Sequence, residues 1–398
     1  MIAFEEAQEK VLNTAGSFGV VNVPLSKANG RVLAEPIFAD RDFPPFDRAT
    51  KDGIAFCFDL SKPHYTFEIQ DVAAAGSLQL SLDDVKHCHE IMTGAIVPKG
   101  ANTVVMYEDI TITNGIVTVE TPVTIGQNIH YQGSDEPKGN VLLNIGTVIT
   151  AAEIGVLATV GKSEVLVQKN PVITLFSTGD ELVTFDSIPE LHQIRQSNSH
   201  AIRAALLEWG IASEIVHIKD EKEAIYNALK TALADSDIVL MSGGVSKGKF
   251  DFLPEVLEDL RVIKAFHRVA QRPGKPFWFG CHKAYKTTVF GFPGNPTSTF
   301  ANFHVYFIPW LKSCWGLPIE TIEAHMLDAY ENTIPLTRFE RAKAFIEKGQ
   351  FKVKIIEGNG SGDLTSLVLA NGFVQIAPKS ILEANQKVVF IPTRQILK

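Results

Sequence analysis

Two glycine-rich turns, each following a short apolar run, constrain this chain more than any other feature. The first is Ser242-Gly243-Gly244-Val245-Ser246-Lys247-Gly248-Lys249-Phe250-Asp251, directly after the apolar residues 238–241. The second is Gly291-Phe292-Pro293-Gly294-Asn295-Pro296-Thr297-Ser298, after the strand-like residues 288–290 and ahead of a helical stretch. Between them lies Arg272-Pro273-Gly274-Lys275-Pro276. Glycine lets backbone N–H groups approach a ligand without interference from a Cβ, and a following helix start adds partial positive charge. Asn295 and the prolines fix the shape of the second turn. Two such loops with cations between them suit a phosphorylated or oxyanion ligand.

The surrounding pattern predicts the scaffold. Residues 172–176 read as a strand, 197–209 as a helix with Ile202, Ala205, Leu206 and Trp209 on one face, and 214–218 as a strand. A helix over 221–233, a strand over 237–241, and a strand, turn and helix over 288–311 continue the series. This βαβ rhythm predicts a parallel, doubly wound sheet with helices on both faces and ligands at the carboxyl ends of its strands.

The flanks differ. Phe4, Ala7, Val11, Leu12 and Ala15 recur at helical spacing, and a short strand follows near 20–23. From about 40 to 140 short alternating segments read as all-β. Within them Ile110-Thr111-Ile112-Thr113 and Ile116-Val117-Thr118-Val119 flank Asn114-Gly115, a strong hairpin signal. Thr150-Ala151-Ala152-Glu153 has the form of a capping box opening a helix that Gly161 closes, expected to return the chain to the first helix and make the β block an insertion. After Trp315-Gly316-Leu317-Pro318, short strands over 344–347, 351–356 and 387–391 predict a small β domain. The expected division is an α+β domain from 1–40 and 141–168, an inserted β domain at 41–140, the α/β domain at 169–317 and a C-terminal β domain at 318–398.

The net charge of −8 argues against a nucleic-acid surface, so an anionic ligand must be held by local cations and amides. No apolar run approaches the ~20 residues that span a bilayer, so no membrane association is expected. Glu5, Glu6 and Glu9 do not form a signal peptide, and a cytoplasmic protein is the expectation. Cys57, Cys88, Cys281 and Cys314 lack Cys-x-x-Cys spacing and read as free thiols. His87-Cys88-His89, without a second ligand cluster, reads as a strand end rather than a metal site.

Taken in order, the motifs resemble the molybdopterin molybdenumtransferase family, bacterial MoeA and the E domain of gephyrin, along almost the whole chain. Carrying the resemblance are Asp52-Gly53-Ile54-Ala55, Met92-Thr93-Gly94-Ala95 with Pro98-Lys99-Gly100-Ala101, and Gly126-Gln127-Asn128-Ile129 followed by Gly133-Ser134-Asp135. Ser177-Thr178-Gly179-Asp180-Glu181-Leu182, Ser242-Gly243-Gly244, Pro293-Gly294-Asn295-Pro296 and Gly360-Ser361-Gly362-Asp363 complete the series. The resemblance implies a homodimer of four-domain subunits that inserts molybdate into the dithiolene of adenylylated molybdopterin, with Mg²⁺ taking part and AMP leaving. A molybdopterin adenylyltransferase would act upstream, and molybdoenzymes or cofactor-modifying enzymes downstream.

By motif, Asp52, Asp135, Asp220, Arg272 and Lys275 are the expected catalytic residues. Thr93, Gly243, Gly244, Ser246, Pro293, Gly294, Asn295, Pro296, Ser298 and Ser361 are the expected substrate contacts. Bare carboxylates would repel an anionic substrate, so Glu181 and Asp251 are assigned to the metal. Arg272 and Lys275 would clamp phosphates or molybdate, aided by amides around Gly243-Gly244 and Gly294-Asn295. No Ser–His–Asp or Cys–His arrangement is evident, so positioning and electrostatics are the expected mechanism. The family architecture implies that Asp52 reaches the site across a dimer interface or after closure.

Plainer roles compete with these assignments. Asp180, Asp220 and Asp135 also suit helix caps or turns, Gly243-Gly244 a simple tight turn, Arg272 and Lys275 surface ion pairs, and Lys247 and Lys249 solvated positions. Departures from the family pattern fall at Lys51 (usually methionine), Glu90 and His130 (often arginine) and Arg272 (often lysine). Two other readings stay open: a molybdopterin adenylyltransferase, which shares the central domain but lacks the β insertion and β tail, and a non-catalytic cofactor carrier or scaffold.

Overall fold

The computed structural model of the chain describes residues 1–61, 63–245, 252–319 and 321–394. The chain divides into two compact units, Met1–Ala34 with Val165–Lys398, and Glu35–Glu164.

The first unit is built around a six-stranded sheet. In chain order its strands are β1 (Ile173–Thr178), β2 (Ser213–Ile218), β3 (Ile238–Ser242), β4 (Ile263–His267), β5 (Trp278–His282) and β6 (Thr287–Phe292). Their spatial order is β2-β1-β3-β6-β5-β4. Neighbouring strands from β2 to β6 are parallel, as expected. β5 and β4 extend the edge antiparallel, so the sheet is mixed rather than wholly parallel. These two strands flank the Arg272–Pro276 loop and are joined without a crossover helix, which left no βαβ signal to read.

The apolar run in β3 is continuous because both faces of the sheet are covered. Ile238 and Leu240 join one core with Ile202 and Leu206 of α1 (Asn198–Glu208). Val239 and Met241 join the other with Ile225 and Leu229 of α2 (Lys222–Asp235) and Val256 of α3 (Leu253–Asp259). The first core also takes Phe4, Ala7 and Val11 of the N-terminal helix Phe4–Leu12, the predicted apolar face. Beyond β6 the predicted single helix is interrupted: α4 (Pro296–Asn302) passes through a π turn (Phe303–Phe307) into α5 (Ile308–Cys314). Pro309 in the first turn of α5 has no N–H to donate and crowds the carbonyl four residues earlier, which the wider turn relieves.

Five further strands of this unit close on themselves. Thr337–Glu347, Gln350–Ile355, Ile322–Met326, Lys387–Pro392 and Gly372–Ile376 pair in that order, and the last returns to the first. Their core holds Met326, Ala342, Val353, Val374 and Phe390. The short strand Gln271–Arg272 adds to this barrel, parallel to Thr337 and Arg338. The loop carrying Arg272 and Lys275 is therefore held by the barrel, in the connection between the antiparallel strands β4 and β5 that widen the α/β sheet.

The unit Glu35–Glu164 carries its own six-stranded sheet, ordered Thr103–Met106, Gly53–Phe56, His87–Ile91, Thr66–Ala73, Ile116–Val119 and Ile110–Thr113. The predicted hairpin joins the last two, with Asn114 at φ 52° and Gly115 at φ 78°. Gly53 lies where a Cβ would come within 1.9 Å of the Val105 carbonyl oxygen, so the Asp52-Gly53 pair is fixed by close backbone packing. The capping box forms as read: the Glu153 carboxylate accepts from the Thr150 N–H at 2.7 Å and from its hydroxyl, opening the helix Ala151–Thr159. This helix belongs to the unit Glu35–Glu164 and Phe4–Leu12 to the other; Val20–Pro24 pairs with Glu164–Gln168.

The fully buried Phe290 packs its ring 4.9 Å from Phe279, 5.3 Å from Trp310 and 5.4 Å from Phe307. Phe290→Ala is expected to destabilise this unit by about 3–5 kcal/mol, seen as a clear fall in melting temperature by calorimetry. An unchanged melting temperature would mean that the aromatic cluster does not hold the sheet to its helices.

Candidate functional site

Parallel register brings three strand ends level. Ser177 lies opposite Ser242, and Ser242 opposite Phe292. Beyond them the chain turns at Gly179, at Gly243-Gly244 and at Pro293-Gly294. Gly243 has φ 103° and Gly244 φ 67°, and no side chain fits at either. A Cβ on Gly243 would stand 2.8 Å from the Thr178 carbonyl oxygen, and one on Gly244 would stand 2.6 Å from the Leu253 side chain. The Gly243 N–H donates to the Phe292 carbonyl at 3.1 Å, so it extends the sheet and is not offered to a ligand as the sequence suggested. The N–H groups of Gly244 and Gly294 have no backbone acceptor among the described residues. Asn198, at the start of α1, ties the two turns together: its Nδ2 donates to Ser242 Oγ at 2.9 Å and to the Gly294 carbonyl at 2.7 Å.

These turns border a cleft of about 550 Å³ whose charged lining is Glu181, Asp220 and one cation, Arg195, acidic on balance, with Gly243, Gly244 and Pro293 beside them. Glu181 is exposed and folds back beside Gly179, whose missing Cβ leaves it room. Asp180 takes the plainer role, accepting the Asp220 N–H at 3.2 Å and shaping the turn.

A second cleft, of about 610 Å³, adjoins the first and shares Pro276, Asn295 and Ser298 with it. It carries four cations, Arg272, Lys275, Arg338 and Arg341, against two carboxylates, Glu340 and Glu357, along with Ser298 and Ser361. Arg338 is paired with Glu340. Among the described residues no carboxylate lies within ion-pair distance of the exposed Arg272 and Lys275. Arg341, only 8% exposed, is held by Ser366 Oγ at 2.6 Å and the Gly360 carbonyl at 3.2 Å.

Buried amides set the shape of the Arg272–Lys275 loop. Gln271 Nε2 donates to the Pro273 carbonyl at 3.0 Å and to Asn302 Oδ1 at 2.8 Å, and Asn302 Nδ2 donates to the Gly274 carbonyl at 3.1 Å. The Tyr306 hydroxyl donates to Gln271 Oε1, and burial holds its pKa well above the usual tyrosine value, so it stays a donor. On the other side, Asn295 Nδ2 donates to Ser361 Oγ at 2.9 Å, and the Thr297 N–H to the Ser361 carbonyl at 3.0 Å. Asp363, which anchors the 358–363 loop, is held well below the usual carboxylate range by the Thr365 hydroxyl and the N–H groups of Asn359 and Ser366.

Gln271, Asn302, Tyr306, Arg338 and Arg341 were not singled out from the sequence. Their roles arise from contacts between distant segments, which local spacing does not reveal.

The remaining predicted residues lie in the unit Glu35–Glu164. Asp52 Oδ1 accepts the Thr93 N–H at 2.6 Å and the Thr93 hydroxyl at 2.7 Å, which hold the aspartate below its ordinary pKa, the backbone bond most strongly. Glu90, at a position where the family often has arginine, accepts the Tyr107 hydroxyl at 2.8 Å; burial and this bond push Tyr107 up to about 12. His130 links a cation to a carboxylate. An Arg48 guanidinium nitrogen lies 3.1 Å from Nδ1, and Nε2 lies 2.7 Å from Asp135 Oδ1. Since arginine only donates, Nδ1 is the acceptor and Nε2–H donates to Asp135.

Ser246 and Asp251, with Lys247 and Lys249, lie outside the described residues. Among the described residues no group of three His, Cys, Asp or Glu side chains is placed to hold a metal ion. All four cysteines are free, with Cys57 and Cys281 only half-buried.

Two tests follow from the geometry. Gly274 has φ 85°, and a Cβ there would fall 2.1 Å from Asn302 Oδ1. Gly274→Ala should displace the Arg272–Lys275 loop and destabilise this unit by about 1–3 kcal/mol, measured as a fall in melting temperature by calorimetry. Thr93→Val should raise the Asp52 pKa toward the ordinary aspartate value, followed by NMR titration. The carboxylate would then persist over a narrower range at low pH, and an unmoved titration would break the assigned hydrogen bond.

Comparison with known proteins agrees along the chain. Residues 2–161 match the MoeA N-terminal region (domain I and II), 174–313 a probable molybdopterin binding domain, and 323–393 the MoeA C-terminal region (domain IV). A molybdopterin molybdenumtransferase of Synechocystis is 34% identical over 381 residues, covering 94% of this chain and 95% of that protein. One from Staphylococcus aureus is 33% identical over 384 residues, covering 94% of this chain and 91% of its own. The crystal structure of a molybdopterin biosynthesis MoeA protein from Pyrococcus horikoshii superimposes with a TM-score of 0.82 at 29% identity, covering 99% of this chain and all of that one. The chain belongs to the MoeA, or molybdopterin molybdenumtransferase, family.

Proposed function

We propose that this protein acts in molybdenum cofactor biosynthesis, inserting molybdate into the dithiolene of adenylylated molybdopterin with release of AMP. The observation that carries the reading is the pair of adjoining clefts of opposite character that share Asn295 and Ser298. One substrate is a small dianion; the other is a larger ligand with a phosphoanhydride. The basic cleft suits the first. Arg272 and Lys275, with no carboxylate in ion-pair range among the described residues, offer charge-assisted hydrogen bonds to oxyanion oxygens. The acidic cleft at the strand ends suits the second.

Glu181 and Asp220 are hard oxygen donors of the kind Mg²⁺ takes, and Glu181 with Asp251 is the proposed metal pair. When bound there, Mg²⁺ supplies charge neutralisation as the phosphoanhydride breaks. The chain's own groups do the rest. Lys275 and Arg272 hold molybdate, Ser298 and Ser361 donate hydroxyl hydrogen bonds, and the rigid turns hold the two substrates at a fixed separation. Asp52 and Asp135 are proposed as further catalytic carboxylates, with Thr93 fixing Asp52. The same proposal includes a cytoplasmic homodimer, the four-domain division given above, an adenylyltransferase that supplies the substrate and molybdoenzymes that take up the product. No helix among the described residues is long and apolar enough to cross a membrane.

Purified protein given adenylylated molybdopterin, Mg²⁺ and micromolar molybdate should release AMP only when molybdate is present. Lys275→Ala should raise the molybdate concentration needed by about tenfold or more, the loss of one charge-assisted hydrogen bond, while binding of the adenylylated pterin changes little. Asp251→Asn should abolish turnover. AMP release independent of molybdate, or synthesis of the adenylylated pterin from ATP, would contradict the reading.

A further inference from the structure

Arg195 is the one cation lining the cleft at the strand ends among the described residues, in the company of Glu181 and Asp220. A short ribbon puts it there. Leu182–Val183 pairs with Ile194–Arg195, and the ribbon is tied by the Ile194 N–H to the Glu181 carbonyl and the Gln196 N–H to the Val183 carbonyl, each at 2.9 Å. The chain thus leaves the cleft after Glu181 and returns Arg195 to the same rim. The side chain is exposed, so a ligand in the cleft can reach it.

The guanidinium is held at one point. Its Nε donates to the Ser187 carbonyl at 2.9 Å. That acceptor sits in a turn closed by the Ser187 N–H donating to the Thr184 carbonyl at 3.2 Å, with the two hydroxyls 2.7 Å apart. Anchoring Nε orients the planar group and leaves both terminal nitrogens without a protein acceptor among the described residues. Nor does any carboxylate among them lie within ion-pair distance of it, although Glu181 and Asp220 line the same cleft. A direct ion pair would close the space between the opposite charges. Keeping them apart leaves room for a charged ligand that touches both.

We propose that Arg195 is a phosphate-binding residue of this cleft, its terminal nitrogens donating to two oxygens of the phosphate in the nucleotide portion of the substrate. This rests on the reading of the cleft given under Proposed function. The planar fork matches two oxygens of one phosphate, and an acceptor-only group suits nitrogens that can only donate. A cleft whose lining is acidic on balance repels an anion unless positive charge meets it. Arg195 supplies that charge from the ribbon side, opposite in sign to Glu181 and Asp220. The cations of the two clefts are then divided between two ligands: Arg195 serves the nucleotide, while Arg272 and Lys275 serve the oxyanion.

The test is titration calorimetry on the whole chain with AMP and Mg²⁺, with adenosine as the phosphate-free control and molybdate as the probe of the neighbouring cleft. Arg195→Gln removes the charge and the fork; Arg195→Lys restores the charge alone. Arg195→Gln should bind AMP about tenfold or more weakly, the loss of a charge-assisted hydrogen bond, with adenosine and molybdate binding unchanged. Arg195→Lys should lose less. Equal AMP binding by Arg195→Gln and the parent protein would overturn the assignment. So would equal loss of AMP and adenosine, which would leave Arg195 only the structural role of holding the Ser187 turn, or a loss in Arg195→Lys as large as in Arg195→Gln. If the parent protein itself binds no AMP, the reading of the cleft fails, and this inference with it.

Discussion

The parallel register of three central strands is the constraint on which the rest of this structure depends. Ser177, Ser242 and Phe292 stand level with one another near the ends of neighbouring strands, so three turns start from one edge of the sheet. That edge is rigid because the strands are apolar on both faces and helices cover both sides. A ligand at the strand ends thus meets backbone and short side chains fixed by a core that does not deform to accommodate it.

The second constraint is the attachment of the Arg272–Lys275 loop to two different elements. Gln271 and Arg272 pair with the C-terminal barrel, while Asn302 and Tyr306, after the second glycine turn, hold the same loop through buried hydrogen bonds. The two cations are then placed relative to the strand ends by groups that are themselves buried and satisfied. Charge is segregated on balance: Glu181 and Asp220 outnumber Arg195 in one cleft, while Arg272, Lys275, Arg338 and Arg341 outnumber Glu340 and Glu357 in its neighbour. In a chain of net charge −8, this local separation allows an anion to be held where the global field would repel it.

Much of this was legible in the sequence because its signals are local. The 238–241 run, the amphipathic face of Phe4, Ala7 and Val11, and the Asn114-Gly115 hairpin each depend on residues a few positions apart. The glycine turns were legible too, since only glycine tolerates the backbone approach found at Gly243 and Gly244. The antiparallel strands β4 and β5 were missed because they lack a crossover helix, and the π turn because Pro309 interrupts a helix whose apolar spacing continues. The supporting residues of the site were missed for a deeper reason. Arg341 and Asn302 matter through contacts with residues 25 and 28 positions away, and nothing in their own neighbourhoods marks them. The resemblance to the family gave the order of the motifs, but not that His130 stands between Arg48 and Asp135 where an arginine is frequent.

The central claim is that oxyanion and nucleotide occupy separate, adjoining clefts. The most direct measurement is anomalous scattering from crystals soaked in tungstate, which mimics molybdate in charge and size, with AMP present. The account predicts a tungsten peak beside Arg272, Lys275 and Arg341, with the nucleotide phosphate next to Gly243 and Gly244. A tungsten peak at the strand ends beside Glu181 and Asp220, or displacement of one ligand by the other, would contradict it.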